Sequence, residues 1–412
     1  MEFIADFHIH SKYSRATSRN MDVKNLSEWA KLKGITLMGT GDFTHHLWLE
    51  ELKHTLEDCG NGLYQHNGVS FILTAEVSSI YSKKGKGYRV HNVIIAPSFK
   101  SVDKINDRLS RLGNLASDGR PILGLDVAEL ARIVFDSDEN CMVIPGHIWT
   151  PWFSLFGSMS GFDRIEDCFE EQTPKIFALE TGLSSDPAMN WRVSALDRFT
   201  LISNSDSHSP QKIGREANVF DCALDYQSIR EVLRTKDRQK FLYTIEFFPE
   251  EGKYHFDGHR LCGMRMSPKE TKEHGGKCPK CGKPVTVGVL NRVEKLADRP
   301  EGFKPDNAIP FKSLIPLDEI IADAKGIAKT SVAVERDYRS CLAKFGTEFE
   351  ILLRAPKQDL AKGLPPKVAE GVLRVREGRV KIKAGFDGEY GIISIFEQGE
   401  GEQKNEEQLS LF

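Results

Sequence analysis

The chain begins MEFIADFHIH, in which Asp6, His8 and His10 alternate with apolar residues. Alternate residues of an extended strand lie on the same face, so these three polar side chains share one side. Imidazole and carboxylate groups together suit zinc, manganese or iron. The opening run therefore predicts part of a metal site.

Further metal-type side chains come with other short apolar runs. Five of these runs end in such residues, and a sixth contains one. They are ITLMGTGD (Asp42), FILTAE (Glu76), MVIPGH (His147), FALE (Glu180), LISNSDSH (Asp206 and His208) and YRVHNVIIA (His91). In (β/α) barrels the catalytic groups lie at the carboxyl ends of the strands. Any single one of these residues could be a cap or a turn former, but H-x-H together with D-x-H indicates one shared site. We expect its catalytic residues to be His8, Glu76, His147 and Asp206, with Asp206 the most sensitive to replacement.

Such a ligand set predicts a particular chemistry. A carboxylate that bridges two ions holds them about 3.5 to 4 Å apart, which is the spacing of two-metal phosphoester cleavage. A site of this kind activates water near neutral pH and stabilises an in-line transition state. We therefore predict a metal-dependent phosphoester hydrolase with two or three divalent ions, Zn²⁺, Mn²⁺ or Mg²⁺.

The elements that would position these residues follow an α/β pattern. From residue 1 to about 230, short apolar runs alternate with amphipathic stretches, as in the βα units of a parallel sheet or barrel. One amphipathic stretch follows Asp22, an N-cap residue type, passes through Leu26 and Trp29, and stops at Gly34. This pattern predicts an α/β domain with the metal site at its strand ends.

Length and composition limit the possible functions. A chain of 412 residues is long enough for two or three domains. It shows neither a bilayer-spanning apolar stretch nor a signal-peptide pattern, so we expect a cytoplasmic, nucleoid-associated protein. The net charge of -3 gives no global nucleic-acid signature, and any DNA contact must therefore use local basic patches.

A second metal site is predicted between residues 253 and 288, a stretch rich in Cys, His and Gly. It contains the knuckle CPKCG and, before it, an H-x2-C pair. One histidine and three cysteines suit a tetrahedral structural Zn²⁺. The predicted ligands are His259, Cys262, Cys278 and Cys281, with His255 and His274 as alternatives for the histidine.

Over about the first 230 residues, the chain resembles the PHP (polymerase and histidinol phosphatase) domains. The resemblance is carried by the H-x-H motif, GTGD, TAE, His91, PGH and SDSH. The resemblance implies a distorted (β/α)7 barrel that cleaves phosphoesters. It implies a first metal on His8, His10, Glu76 and Asp206, a second on Glu76, His91 and His147, and a third on His208 with residues near Asp42. Many relatives carry a histidine where this chain has Ala16, and an Asp-His pair where it has Asp42 and Phe43. Asp42 itself or His45 would have to complete the third site.

Basic and aromatic segments indicate a nucleic-acid substrate. Residues 362–383 carry seven basic residues against two acids, and SKKGKGYR, 82–89, is a second basic loop. The run IWTPWFSLFG follows His147 and would place aromatic rings at the mouth of the site, where they can stack on a base. The alternatives are solvated basic faces and an aromatic plug that closes the barrel. The predicted DNA contacts are Lys84, Arg89, Trp149, Trp152, Phe153, Arg374, Arg376 and Arg379.

From residue 1 to about 396, the chain resembles the endonuclease Q family. The resemblance is carried by the PHP-like motifs together with YHFDGHR, CPKCG, ETGLSSDP, NWR and DGEYG. The resemblance implies a DNA repair endonuclease that nicks on the 5′ side of deaminated bases (uracil, hypoxanthine, xanthine) and of abasic sites, leaving a 3′-hydroxyl. Two alternatives remain: a PHP-type phosphatase for small phosphomonoesters, and a non-catalytic DNA-binding adaptor recruited by a sliding clamp.

The expected organisation has five parts. These are a PHP phosphoesterase domain (1–230), a connector (231–252), a zinc-binding module (253–288), a C-terminal α+β DNA-binding domain (289–396) and a disordered tail (397–412). The tail is polar and acidic until QLSLF, whose apolar residues have no neighbouring core. This pentapeptide resembles the bacterial sliding-clamp binding motif and predicts a clamp as partner, although chance similarity and docking on the parent chain are alternatives. The predicted contacts are Gln408, Leu409, Leu411 and Phe412.

Overall fold

The computed structural model describes residues 1–396. Its strands are β1 (Glu2–Asp6), β2 (Leu37–Gly39), β3 (Glu57–Asp58), β4 (Tyr64–His66), β5 (Val69–Lys83), β6 (Lys86–Ala96), β7 (Ile122–Leu123), β8 (Met142–Pro145), β9 (Ala178–Glu180), β10 (Thr200–Ile202), β11 (Ala217–Asp221), β12 (Phe241–Glu246), β13 (Asp257–His259), β14 (Met264–Met266), β15 (Phe311–Ser313), β16 (Lys381–Lys383) and β17 (Ile392–Ser394).

The helices are α1 (Val23–Lys33), α2 (His46–Thr55), α3 (Phe99–Ser110), α4 (Val127–Ser137), α5 (Ile165–Phe169), α6 (Pro187–Asn190), α7 (Tyr226–Thr235), α8 (Pro268–Glu273), α9 (Val289–Leu296), α10 (Leu317–Lys325), α11 (Val332–Phe345), α12 (Lys357–Gly363) and α13 (Pro366–Arg376). Within the described part of the chain, none of them has the length and apolar character needed to cross a membrane.

A mixed sheet forms the centre of the fold, and the predicted α/β class is confirmed. Its neighbouring strands run in the order β15, β12, β11, β1, β2 and β5, and β6 and β8 continue the sheet beyond β5. The parallel pair of β9 and β10 lies between β8 and β11. On one side, the Ile148 N–H donates to the Glu180 carbonyl at 3.0 Å. On the other, the Asn218 side chain of β11 bonds to both the N–H and the carbonyl of Ser203, so the end of β10 lies beside β11.

Residues 69–96 differ from the predicted alternation of strands and helices. β5 and β6 form one long antiparallel hairpin with no helix between them. The turn consists of Lys84 and Gly85, whose φ angles are 51° and 79°. Two-residue turns with positive φ match the twist of the flanking strands, which favours a hairpin here. The basic loop predicted at 82–89 is therefore the tip of this hairpin.

Local capping sets the bounds of α1, as predicted. The Asp22 side chain accepts a hydrogen bond from the Asn25 N–H, and Gly34 ends the helix with a φ of 88°. A Cβ at Gly34 would lie only 2.8 Å from the Thr347 hydroxyl oxygen. Glycine is therefore needed here both for the left-handed backbone and for contact with the C-terminal region.

The C-terminal region packs directly on the central sheet. β15 pairs in parallel with β12, and the buried Lys33 ammonium lies 3.0 Å from the Glu348 carboxylate. Side chains of α10 to α13 bury in the same hydrophobic cluster as the strands. Residues 253–288 are different, because their own apolar cluster consists of Met266, Cys278 and Val285, with Cys262 and Met264 partly buried against it. So small a core gives that stretch little stability by itself.

Candidate metal centre

Six of the predicted ligands come together in two groups that share one residue. They are His8, His10, Glu76, His91, His147 and Asp206. Four of these residues follow the carboxyl ends of strands, as predicted. The prediction that a strand ends at Glu76 is wrong, because β5 continues past it to Lys83 as part of the hairpin.

The first group contains His8, His10, Glu76 and Asp206, with one ligand atom from each within 4.8 Å of the others. Asp206 Oδ1 lies 3.1 Å and Glu76 Oε2 lies 3.3 Å from His10 Nε2. His8 Nε2, His10 Nε2 and Asp206 Oδ1 are buried and form no hydrogen bond with any described residue. Since buried polar atoms normally have a partner, these three atoms fit a bound cation.

The second group contains Glu76, His91 and His147. Glu76 Oε1 lies 2.8 Å from His91 Nδ1 and 3.1 Å from His147 Nε2. The two imidazole nitrogens are 3.2 Å apart. Glu76 thus presents Oε2 to the first group and Oε1 to the second. This arrangement suits a carboxylate shared by two ions.

Asp42 lies behind His10. Its Oδ1 is 3.0 Å from His10 Nδ1, and its Oδ2 accepts from the Ser11 N–H at 2.6 Å and from the Ser14 hydroxyl at 2.8 Å. A carboxylate on Nδ1 fixes the tautomer of an imidazole and leaves Nε2 for a metal. The geometry therefore favours Asp42 as the residue that orients His10. His208 Nδ1 lies 2.9 Å from the carbonyl oxygen two residues before it.

Neither Asp42 nor His208 belongs to a cluster of three metal-type side chains within residues 1–396. The third ion stays a prediction.

Glu180 contacts the Nδ1 atom of His8, as Asp42 contacts that of His10. It was not among the predicted ligands. Both of its oxygens lie 3.0 Å from His8 Nδ1. Oε1 also accepts from the Asn204 side-chain amide at 2.8 Å, and Oε2 accepts from the His147 N–H at 2.8 Å. One buried carboxylate thus holds a ligand of each group. Its position at the end of FALE was the available sequence signal.

Arg120 was missed altogether. Its Nη1 donates to Glu76 Oε2 at 3.1 Å, and its side chain is 28% exposed. Residues 118–121, DGRP, match no catalytic motif and follow no predicted strand. The contact depends on how this loop packs against the strands, which the sequence pattern does not show.

The electrostatics of the cluster favour positive charge. Burial lowers the pKa of His8 and His10, but the neighbouring carboxylates outweigh burial and hold both pKa values well above the ordinary range. Burial lowers the pKa of His91 to about 4 in spite of the adjacent Glu76. Burial also raises the pKa of Asp206, but the neighbouring imidazoles outweigh it and hold that pKa below its usual range. Asp206 is therefore ionised and His91 is neutral, as metal ligands must be, whereas His8 and His10 hold protons that a bound cation would displace.

The aromatic loop after His147 contains both core and surface residues. Trp149 is 1% exposed, and its indole N–H donates to Asn190 Oδ1 at 2.7 Å. The prediction that Trp149 contacts a base is wrong, because the ring is packed in the core. Trp152 is 45% exposed and remains available for stacking.

A small cationic and aromatic cluster lies next to the second ligand group. The Arg89 guanidinium is 4.9 Å from the ring centroid of Trp152 and 5.5 Å from that of Phe153. Phe153 has a φ of 62° and its ring centroid lies 4.8 Å from that of His91. Positive φ is unfavourable for an aromatic residue, and such strain is concentrated at functional sites. We call Arg89, Trp152 and Phe153 the stacking cluster.

The other predicted basic contacts lie elsewhere. Lys84 is at the hairpin tip, eight residues along β5 from Glu76, which corresponds to roughly 26 Å. Arg376 donates to the carbonyl oxygens of Ile351, Leu352 and Ala355, so the prediction that it binds DNA is wrong. Arg374 pairs with Glu370 at 2.6 Å. Arg379 is exposed and pairs with the neighbouring Glu377.

The predicted zinc ligands also come together. Ligand atoms of His259, Cys262, Cys278 and Cys281 lie within 4.8 Å of one another. His255, one alternative for the histidine, is instead buried near Phe256, and burial lowers its pKa to about 4. Neither His255 nor the other alternative, His274, belongs to this group. The geometry therefore favours His259. The predicted clamp contacts, Gln408, Leu409, Leu411 and Phe412, lie outside the described residues.

Comparison with known proteins adds independent information. The family model of the MJ0043 C-terminal domain matches residues 316–379. The uncharacterized protein MJ0043 of Methanocaldococcus jannaschii is 34% identical over 274 residues, which are 63% of this chain but only 33% of that protein.

Two solved structures match nearly the whole chain. The lesion-specific endonuclease PfuEndoQ from Pyrococcus furiosus has a TM-score of 0.87 and 33% identity, and the match covers 96% of both chains. A complex of Endonuclease Q with a 27-mer duplex substrate, which has an abasic lesion at the active site, has a TM-score of 0.84 and 33% identity, and covers 96% of this chain and 97% of that one.

Proposed function

The chain belongs to the endonuclease Q family, and from this membership we propose that it is a metal-dependent endonuclease that cuts DNA beside damaged nucleotides. It would hydrolyse the phosphodiester on the 5′ side of a deaminated base (uracil, hypoxanthine or xanthine) or of an abasic site, leaving a 3′-hydroxyl. The observation that carries this proposal is the pair of ligand groups that share Glu76, inside a fold that matches a lesion-specific endonuclease over 96% of the chain.

Two divalent ions, Zn²⁺, Mn²⁺ or Mg²⁺, are the proposed cofactors. Ions of this kind, when bound, supply an acidified water and stabilise the charge of an in-line phosphoryl transition state. The residues that would hold one ion are His8, His10, Glu76 and Asp206, and those that would hold the other are Glu76, His91 and His147. The chain itself orients the ligands, since Asp42 and Glu180 fix His10 and His8 through their Nδ1 atoms.

The stacking cluster is the proposed contact for the damaged nucleotide. Trp152 offers an accessible ring, and Arg89 adds a positive charge beside it. Exposed aromatic rings next to a basic group bind single nucleotides by stacking and by attraction to phosphate. Because Phe153 lies next to His91, a nucleotide on this cluster would be close to the second ligand group.

The remaining parts of the prediction belong to the same proposal. Residues 1–230 would be the distorted PHP barrel, which the contact between the end of β10 and β11 supports. A structural Zn²⁺ on His259 and the three cysteines would fold residues 253–288, whose apolar core is small. Residues 289–396 would bind DNA through exposed basic residues such as Arg379.

We also propose that the QLSLF tail binds a bacterial-type sliding clamp, which would tether the enzyme to DNA in the cytoplasm. The test is binding of the full chain to a clamp, which should be lost when Leu411 and Phe412 are both replaced by Ala. Equal binding of the wild-type chain and the double variant to the clamp would contradict this part of the proposal without affecting the nuclease assignment.

A mapped cleavage assay tests the main proposal. Labelled duplexes with one deoxyuridine, one hypoxanthine, one abasic site or no lesion are incubated with the chain and Mg²⁺, Mn²⁺ or Zn²⁺. We expect ion-dependent cutting only at the lesion and only on its 5′ side. Asp206→Ala should abolish cutting and leave DNA binding largely intact, whereas Asp136→Ala, a surface change on α4, should cut normally.

Three results would contradict the proposal. Equal cutting of all duplexes would remove the lesion specificity. Phosphate release from simple monoesters without any nicking, unaffected by deletion of residues 253–396, would favour the phosphatase. Tight DNA binding without cutting in any ion would favour the adaptor.

A further inference from the structure

The Arg120 side chain contacts the carboxylate that the two ligand groups share. Its Nη1 donates to Glu76 Oε2, the oxygen that also lies 3.3 Å from His10 Nε2. Glu76 is completely buried, whereas the Arg120 side chain is 28% exposed. Among the described lysines and arginines, Arg120 alone forms an ion pair with a carboxylate of the two groups. The guanidinium therefore lies where the cluster meets solvent.

The loop that carries Arg120 is held firmly against the strands. The Gly119 N–H donates to the Tyr13 carbonyl at 3.1 Å, and the Thr44 hydroxyl donates to the Gly119 carbonyl at 3.2 Å. A Cβ at Gly119 would lie 2.3 Å from Asp42 Oδ2, so only glycine allows this close approach. The Arg120 N–H is itself bound by the Asp118 carboxylate at 3.1 Å. The backbone thus fixes the position from which the guanidinium extends.

We propose that Arg120 is a further catalytic residue, which binds a non-bridging oxygen of the scissile phosphodiester. A guanidinium has five N–H donors in a planar fork, and Glu76 is the hydrogen-bond partner that it has among the described residues. Donors therefore remain for a second anion, and arginine binds phosphate oxygens in a fixed geometry. The inference rests on the proposed function, because it names a group that binds the substrate of the same site.

The reaction explains why a cation is needed at this position. A water oxygen forms a bond to phosphorus, the bond from phosphorus to O3′ breaks, and O3′ takes up one of the water protons. The products are a 3′-hydroxyl and a 5′-phosphate. Negative charge increases on the non-bridging oxygens in the transition state, and a cation already fixed beside them stabilises that state more than the bound substrate.

A purely structural role for Arg120 would be to neutralise Glu76. The two roles predict different results for Arg120→Gln, which removes the charge but keeps a polar side chain. In the structural role, ion content or thermal stability changes and the contacts to substrate do not. In the catalytic role, the contacts to substrate change as well, so Arg120→Gln also alters the effect of sulfur at the scissile phosphate.

The test compares wild type, Arg120→Gln, Arg120→Lys and the surface control Arg132→Gln on an abasic duplex. The scissile phosphate is either normal or one of the two phosphorothioate diastereomers. We expect Arg120→Gln to lower the single-turnover rate about 100- to 1,000-fold, as for the loss of one transition-state donor, with Arg120→Lys in between. The sulfur effect of one diastereomer should be present in wild type and absent in Arg120→Gln.

A rate for Arg120→Gln within threefold of wild type, with both sulfur effects unchanged, would overturn the inference. Hydrolysis of bis(4-nitrophenyl) phosphate, a simple diester without a lesion, distinguishes failure of the proposed role of Arg120 from failure of the proposed function. If wild type cuts no lesion duplex but hydrolyses the diester, and Arg120→Gln is at least tenfold slower, the proposed function fails and the role of Arg120 stands. If the diester rates are equal, the role of Arg120 is refuted.

Discussion

Replacement of Glu180 by Gln tests whether residues behind the ligands determine how well the centre binds ions. The Glu180 carboxylate accepts from three donors: His8 Nδ1, the Asn204 amide and the His147 N–H. An amide has one acceptor oxygen and turns an N–H₂ group toward the others. At least one buried donor therefore loses its partner, and His8 loses the negative charge that orients it.

The magnitude follows from these contacts. Loss of a partner that orients a metal-bound histidine lowers ion affinity or activity about 10- to 100-fold, which corresponds to roughly 1.4 to 2.7 kcal/mol. An unsatisfied buried donor costs about 1 to 3 kcal/mol, a similar range. We therefore expect Glu180→Gln to bind Mn²⁺ 10- to 100-fold more weakly. Its nicking rate should fall at limiting Mn²⁺ and partly recover at high Mn²⁺.

Calorimetric titration with Mn²⁺ and nicking at several Mn²⁺ concentrations measure both quantities. Glu246→Gln is the matched control, because Glu246 is also a buried carboxyl group but accepts from the hydroxyls of Thr181, Ser203 and Thr244 and contacts no proposed metal ligand. The control should bind Mn²⁺ as wild type does. Affinity within threefold of wild type for Glu180→Gln, or an equal loss in both variants, would refute the reasoning.

Three other predictions use different parts of the structure. Burial raises the pKa of Glu246 to about 8 from its ordinary 4.5, so the folded state keeps a proton that the unfolded state loses, and stability falls as pH rises through this window. In urea unfolding, the free energy of unfolding of Glu246→Gln should therefore rise relative to that of wild type between pH 5 and pH 8. A difference between the two proteins that does not change with pH would contradict this prediction. Cys278→Ser should remove one zinc per chain, by elemental analysis, and expose residues 253–288 to proteases, because structural zinc contributes about 10 kcal/mol or more; protection equal to wild type would argue against a zinc-dependent fold. Trp152→Ala should weaken binding to a lesion duplex by about 1 to 3 kcal/mol in a fluorescence titration, whereas Trp149→Phe should mainly lower the melting temperature; the reverse pattern would reject the stacking cluster.

The ligand groups were predictable because short motifs carry their residues. H-x-H and D-x-H come directly after apolar runs, and strand ends of this kind meet in one place. Capping residues likewise fixed the bounds of α1, since Asp22 and Gly34 act on the backbone of their own helix. Both features depend on interactions between neighbours in sequence or on a general rule of the fold.

The features that were missed depend on contacts between distant segments. Trp149 lies in a loop-like sequence, but its burial results from Asn190 and from packing with Phe156. Arg376 lies in a basic segment, but the carbonyl oxygens that it binds become available only at the end of a π-helical turn about 25 residues earlier. Arg120 reaches Glu76 only because its loop packs on the segments that follow β1 and β2. No local pattern encodes such neighbours.

Anomalous diffraction from crystals grown with Mn²⁺ tests the central claim most directly. Two peaks about 3.5 to 4 Å apart should lie between the six ligands, with Glu76 next to both. One peak should contact His8, His10 and Asp206, and the other His91 and His147. Ordered density for these side chains without any peak between them, or with one peak that does not contact Glu76, would contradict a two-ion centre.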